Sequence, residues 1–312
     1  MKKISFVIPC YGSEHTIKAV IDEIDVIMGQ KPEYGYEIIC VNDCSPDNVL
    51  AVLKSLTKTH QNLTVIDLAR NFGKNSALLA GMSLISGDIL TVLDDDGQCP
   101  TYRLWDLIDK LNDGFDIVTA KYINRKQSLA KKIGSAVNHA MSQWLLNKPK
   151  DLHFGTFNVM RRFVVDEITK YHNPYPYFEG LMLRSTHKIG YVIAEDRERF
   201  SGEGHYTFIK SLGLWLNGFT AFSVKPLRLS AFAGCFAAAI GFVYGLVTII
   251  QKIITPAMPM GYASTMAALL FIGGMILLSL GLIGEYVGRI YVSINNSPQY
   301  VIREMIRGGK EQ

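Results

Sequence analysis

Three consecutive aspartates, Asp94-Asp95-Asp96, close an apolar run that begins at Ile89, and Gly97-Gln98 follow them. If the run is an extended strand that continues through the triplet, side chains alternate. Asp94 and Asp96 then share one face, with Cα atoms roughly 6–7 Å apart. Two carboxylates at that spacing, with room for diphosphate oxygens, suit Mg2+ or Mn2+. Such an ion binds a diphosphate and stabilises the charge that builds as it leaves. Asp95 points elsewhere, toward a sugar or a helix N-terminus. An acidic triplet alone also suits a solvated turn at a strand end, so its setting in the chain matters.

Other polar residues close other apolar runs. Pro9-Cys10-Tyr11-Gly12-Ser13-Glu14 ends the first. Pro9 fixes the chain as it leaves a sheet, and Tyr11 is placed to line a base pocket. Asp43 ends the second run, where its carboxylate can accept hydrogen bonds from a base or ribose. No G-x-x-x-x-G-K-S/T is present, and no G-x-G-x-x-G follows the first run, which excludes a P-loop and disfavours an ordinary dinucleotide fold. The five cysteines, Cys10, Cys40, Cys44, Cys99 and Cys235, show no paired metal spacing and read as reduced thiols of a cytosolic module. A net charge of +4 is too small and dispersed to argue for nucleic acid.

The elements that must position these residues follow from periodicity. Strands are expected at Ile4–Tyr11, Tyr36–Asp43, Leu63–Arg70, Ile89–Asp96 and Phe115–Tyr122. Amphipathic helices are expected at Glu14–Met28, Asp47–His60, Lys74–Ser86 and Thr101–Asn112. This alternation means an α/β domain, with a mainly parallel sheet between helices. Ligands of such sheets bind beyond the carboxyl ends of the strands, where the polar residues fall. Farther on, Lys126–Asn147 reads as a helix with a basic start, Leu152–Arg162 as extended, Phe163–Tyr171 as helical and Lys188–Phe200 as a strand with a basic tail.

The C-terminal third changes character. No charged residue occurs from Leu229 to Gln251 or from Ile253 to Gly284. Each stretch exceeds the roughly 20 apolar residues that cross a bilayer. The organisation expected is a cytoplasmic domain over 1–205, an interfacial amphipathic helix over 206–226, two transmembrane helices at about 229–251 and 263–285, and a cytoplasmic tail over 291–312. Lys225, Arg228, Arg289, Arg303, Arg307 and Lys310 flank the spans, so the positive-inside rule puts both termini in the cytoplasm. Glu285 and Arg289 can pair at i, i+4. Gly273-Gly274 and Gly281 to Gly284 offer a small-residue face for helix packing, permitting a dimer or tetramer.

Taken together, Val7-Ile8-Pro9-Cys10-Tyr11, Val41-Asn42-Asp43-Cys44-Ser45-Pro46-Asp47, Arg70-Asn71-Phe72-Gly73-Lys74, Leu79-Ala80-Gly81 and Asp94-Asp95-Asp96-Gly97-Gln98 resemble the successive motifs of family-2 glycosyltransferases. They are most similar to the polyprenyl-phosphate sugar transferases, a group that includes the dolichyl-phosphate mannose synthases and the bacterial bactoprenol glucosyltransferases. The resemblance continues in Arg197–Tyr206 and in Gly284-Glu285-Tyr286-Val287-Gly288-Arg289, so it covers nearly the whole chain. It implies a GT-A fold, with Pro9, Tyr11, Glu14 and Asp43 holding the nucleoside. It assigns Asp94, Asp96 and Gln98 to the metal and donor diphosphate, with Asp95 and Lys74 near the donor. Arg197 and Arg199 would meet phosphates, a task suited to the guanidinium fork.

The implied reaction is transfer of one hexose, from a nucleotide diphosphate sugar to polyprenyl phosphate at the membrane, with inversion. The bacterial resemblance favours UDP-linked glucose or N-acetylglucosamine over GDP-mannose. Three departures stand out: Asn42-Asp43-Cys44-Ser45 replaces Asp-Asp-Gly-Ser, Gly155-Thr156-Phe157-Asn158 replaces Gly-Asp-Phe-Arg, and Gly204-His205 stands where a Ser-Lys pair is usual. Thr156 thus takes the place of an acidic residue. A lipid phosphate is already ionised and needs positioning more than a general base. Lys126, Lys131, Lys132 and the two arginines are the residues expected to position it, with His153 and His205 as further polar contacts.

Overall fold

A computed structural model describes residues 2–123, 143–144, 149, 152, 154–174, 176–195, 197, 224–254, 261–295 and 297–309. The expectations for Lys126, Lys131, Lys132, His153, Arg199, His205 and nearly all of the interfacial helix lie outside the described residues. The chain divides into two compact units, 1–219 with 297–312, and 220–296.

The first unit is an α/β domain. Its elements run β1 (Lys3–Cys10), α1 (Ile17–Met28), β2 (Gly35–Asn42), α2 (Val49–Leu56), β3 (Leu63–Leu68), α3 (Lys74–Met82), β4 (Ile89–Val92), α4 (Leu104–Asn112) and β5 (Ile117–Ile123). They continue with β6 (Asn158–Arg161), α5 (Arg162–Thr169), α6 (Phe178–Ser185), β7 (Ile189–Glu195) and β8 (Ile302–Arg307). The sheet order is β7-β5-β6-β4-β1-β2-β3-β8. β4-β1-β2-β3 pair in parallel, as do β5 and β7. β6 runs antiparallel between β4 and β5, and β8 antiparallel along β3.

β1 is buried along all but its first residue, as expected of a central strand covered on both faces. α1 buries Ile17, Val20, Ile21, Ile24, Ile27 and Met28, the helical i, i+3, i+4, i+7 stripe that faces a core. These side chains join Phe6, Ile8, Ile38, Leu53 and Leu107 in one cluster.

Two expectations need correction. The fourth strand ends at Val92, and Asp95 and Asp96 lie in a turn. β6 begins its pairing with Val92 at Asn158, so no ladder extends to the aspartates. Residues 302–307, read as tail, form β8, because Ile302, Glu304 and Ile306 alternate with exposed Arg303, Met305 and Arg307. That period-2 pattern suits an edge strand with one face on the core.

At the opposite end of the sheet, Glu37 of β2 accepts hydrogen bonds from Lys3 Nζ (2.9 Å), Ser5 Oγ (2.6 Å), the Ser86 amide (2.6 Å) and Ser86 Oγ (2.8 Å). Burial alone would raise its carboxyl, but these donors hold it down at about 2. A folded pKa below the unfolded value stabilises the fold above the unfolded pKa. Stability from Glu37 is therefore full above about pH 4.5 and drains as pH falls toward about 2. Glu37→Gln is expected to cost about 2–3 kcal/mol at neutral pH. Urea titration at pH 7 and pH 3 should show the gap from wild type narrowed at pH 3.

The second unit is a pair of helices, α7 (Lys225–Ile254) and α8 (Tyr262–Ile294). Both are long and apolar enough to cross a membrane, over Lys225–Gln251 and Phe271–Ile294. On α8 the half-buried positions Met275, Ser279, Leu282, Tyr286 and Arg289 recur at 4-3-4-3 spacing, which forms a helix-packing seam. Small residues, Ser230, Ala233 and Ala237, are half-buried on α7 and allow close approach. Arg289 pairs with Glu285 at 2.6 Å. Large apolar side chains such as Phe232, Phe242, Leu277 and Ile290 stay exposed.

Candidate active site

The carboxyl ends of β1, β2, β3 and β4 carry four loops, tied together by side chains that sit in them. The β4 loop is the centre. Lys74, the first residue of α3, pairs its ammonium with Asp94 Oδ1. Asp96 Oδ1 accepts the Gln98 amide at 3.0 Å. Gly97 between them has φ +75°, a left-handed conformation that glycine adopts without strain and that lets the turn close.

Asp95 leaves this pair. Its Oδ2 accepts the Tyr11 amide at 2.9 Å, and its carbonyl accepts Thr16 Oγ1 at 2.6 Å. Burial raises its carboxyl to about 6, and the charges of Asp94 and Asp96 push the same way. Asp95 thus binds the β4 loop to the β1 loop, with Tyr11 45% exposed beside it.

Asp43 is 3% exposed. Its two oxygens accept the amides of Phe72 (2.7 Å) and Gly73 (2.8 Å). Burial raises its carboxyl, and the two amides work against that shift. Asp43 therefore holds the loop that delivers Lys74. Glu14 accepts the Asn48 amide at 2.8 Å, and Asp47 accepts the Glu14 amide at 2.9 Å. Ser45 Oγ receives the Gly12 amide at 2.7 Å. Pro9 lies in β1 opposite Val41.

Arg197 reaches the acidic loop through its main chain, since Gln98 Nε2 donates to its carbonyl at 3.1 Å. Its guanidinium binds Glu23 of α1 (2.7 Å) and the Cys99 carbonyl (3.2 Å). Thr156 Oγ1 lies 3.6 Å from Cys99 Sγ and 3.4 Å from Tyr122 Oη. The Cys99 sulfur in turn accepts the Asp94 amide at 3.3 Å. Burial pushes the Cys99 thiol up to about 12 and raises the Tyr122 phenol as well. Thr156 thus belongs to a neutral hydroxyl and thiol cluster that supports the acidic loop.

Sequence reasoning singled out the aspartates, Lys74 and Tyr11, but missed Thr16, Ser45, Cys99 and Glu23, which brace the loops. Only Ser45-Pro46-Asp47 carried a local signal, the turn chemistry that precedes a helix. Among the described residues no trio of His, Cys, Asp or Glu side chains converges on one point. Asp94 and Asp96 offer hard oxygens, which fit a divalent ion bound by one or two carboxylates and completed by substrate phosphates.

Residues 5–169 match the family model described as Glycosyl transferase family 2, and residues 225–290 match the GtrB C-terminal hairpin. YkcC, a glycosyltransferase of Bacillus subtilis, is 32% identical, over 96% of this chain and 93% of its own. The SfII prophage-derived bactoprenol glucosyl transferase of Shigella flexneri is 33% identical, over 98% of this chain and 99% of its own. Among solved structures, glucosyl-3-phosphoglycerate synthase from Mycobacterium tuberculosis, in complex with Mn2+, UDP-glucose and phosphoglyceric acid, superposes with a TM-score of 0.51. It is 17% identical, over 70% of this chain and 78% of that one.

Proposed function

Since the chain belongs to glycosyl transferase family 2 and carries the GtrB hairpin, we propose that this glycosyltransferase moves one glucose from UDP-glucose to a polyprenyl phosphate, with inversion. The observation that carries this reading is the near full-length likeness to a bactoprenol glucosyl transferase, hairpin included.

In this reading the anomeric carbon's bond to the donor diphosphate breaks, and its bond to an oxygen of the lipid phosphate forms. The nucleoside diphosphate leaves. A divalent ion held by Asp94 and Asp96, with Gln98 beside them, would neutralise the charge that collects on the diphosphate. Lys74 holds Asp94 in place beforehand, so little reordering accompanies donor binding. Tyr11 offers an exposed ring on which a base can stack. Asp43, Asp95 and Glu14 act by fixing the loops around the nucleoside. Thr156 supplies a neutral hydroxyl, adequate for a nucleophile that arrives ionised. Arg199 and Lys132 are assigned to acceptor phosphate, and Arg197, whose Nη1 is held by Glu23 and the Cys99 carbonyl, would meet it only by exchanging those partners.

Residues 1–205, completed by β8, form the cytoplasmic domain in this proposal. The chain leaves the sheet domain before α7 and returns to it as β8, which supports a hairpin with both ends on one side of the membrane. The positive-inside rule makes that side the cytoplasm.

Membranes containing the protein, supplied with undecaprenyl phosphate, Mn2+ and one radiolabelled nucleotide sugar at a time, test the reading. UDP-glucose is expected to give a labelled lipid, and its sugar phosphate should be β-linked from the α-linked donor. Labelling by GDP-mannose alone would replace glucose by mannose in the proposal. No labelling by any donor would overturn it.

A further inference from the structure

We infer that Arg303, on the strand that follows the hairpin, is a positioning residue of the donor site, acting through the Lys74 loop. β8 does more than extend the sheet. Ala69, where β3 runs into the loop, is held on both sides by this strand. Its amide donates to the Val301 carbonyl at 2.8 Å, and its carbonyl accepts Arg303 Nη2 at 2.7 Å. The other guanidinium nitrogen, Nη1, reaches Asp67 Oδ2 at 3.2 Å.

Asp67 is 2% exposed. Its second oxygen accepts Asn42 Nδ2 at 2.7 Å, and Asn42 Oδ1 accepts the Ser45 amide at 3.1 Å. A buried carboxylate requires such partners. The next residue, Asp43, grips the amides of Phe72 and Gly73. Arg303 therefore fastens the start of the 69–74 segment directly and steadies Asp43, which fastens its end, through Asp67 and Asn42. The segment has one functional terminus, the Lys74 ammonium on Asp94. Two parallel donors from one planar group, aimed at a carboxylate and a carbonyl, are a task lysine performs only in part.

A comparison is built into the same strand. Glu304, the neighbouring residue, stands opposite Asp67 in the β3–β8 ladder through its backbone, while its carboxylate ties β8 to Lys54 of α2 at 2.7 Å. Loss of Glu304 weakens the strand's attachment without releasing the loop.

This inference rests on the donor-site reading above, and its test has one arm independent of any substrate. Hydrogen exchange of the Phe72 and Gly73 amides is compared in wild type, Arg303→Ala and Glu304→Gln. Arg303→Ala should exchange about 10-fold faster or more at both amides, and Glu304→Gln should match wild type. In the kinetic arm, Arg303→Ala should raise the donor KM about 10-fold with a smaller fall in kcat, and Arg303→Lys should recover part of it. In a Lys74→Ala background the Arg303→Ala effect should vanish. Unchanged exchange at Phe72 and Gly73 overturns the inference, whatever the substrate proves to be. Equal effects of Arg303→Ala and Glu304→Gln reduce β8 to a structural staple and overturn it too. Failure of wild type to use any nucleotide sugar would sink the proposed reaction, while the exchange arm still decides the role of Arg303.

Discussion

The Asp94→Ala, Asp96→Ala double variant is expected to lose about 10³-fold or more in sugar-lipid formation while keeping its fold. Both residues lie beyond the end of β4, half-buried and outside the ladder. Neither contributes to the sheet's core. Their loss removes the two carboxylates proposed to hold the ion, and Asp95 is committed to the Tyr11 amide. It also removes the Asp94 carboxylate from Lys74, one of the contacts that orient the ammonium. The measurement is initial rate with labelled donor over a Mn2+ titration, alongside circular-dichroism melting. An unchanged melting curve with lost turnover supports the metal and diphosphate assignment. Retained turnover at wild-type Mn2+ dependence removes it.

The second large effect lies at Gly155. A Cβ built there would stand 2.0 Å from the Ala120 carbonyl oxygen and 2.9 Å from Tyr122 Cε2. The first neighbour is the backbone of β5 and cannot swing aside. The Gly155 amide donates to Thr119 Oγ1 at 2.8 Å, and its carbonyl accepts Asn158 Nδ2 at 2.9 Å. The residue is therefore gripped from both ends and cannot move away as a unit. Gly155→Ala is expected to destabilise the protein by about 3 kcal/mol, at the upper end of overpacking costs. Thr156 and Phe157 must shift with it. A displacement of about 1 Å near reacting groups lowers rates by about 100-fold. Thermal melting and kcat both report it, and wild-type values of the two together would rule the steric account out.

Much of this was legible from residue order. Strand starts, the amphipathic α1 stripe and the apolar hairpin follow from periodicity, because burial on one side of an element repeats with its geometry. Asp94 and Tyr11 were legible because they are polar groups closing apolar runs, and Lys74 came from the family resemblance. Their mutual arrangement was not. Asp95 was assigned to a face by strand alternation, but the strand stops at Val92 and a captured amide decides its direction. Arg197 carries the right chemistry for phosphate, yet Glu23, 174 residues away in sequence, holds its guanidinium. β8 was hidden for the same reason. Six residues of alternating pattern identify a strand only once a free sheet edge is known to be waiting for them.

That edge has a consequence for how the protein is made. Lys74 and Asp94 themselves have been synthesised long before β8 exists. Until residues 302–307 emerge, β3 presents an unpaired flank, the kind of open edge that recruits foreign strands. The apolar helices α7 and α8 must be dealt with in that interval, because they come between β3 and its partner in the chain. Completion of the sheet is thus a late event in the life of the nascent chain, after both α7 and α8 have been made. A ribosome that stops after α8 releases a molecule with Tyr11, Asp43, Lys74 and the aspartates but without Arg303, and with one raw edge. Such a product should be marked by aggregation and proteolysis before it is marked by lost chemistry.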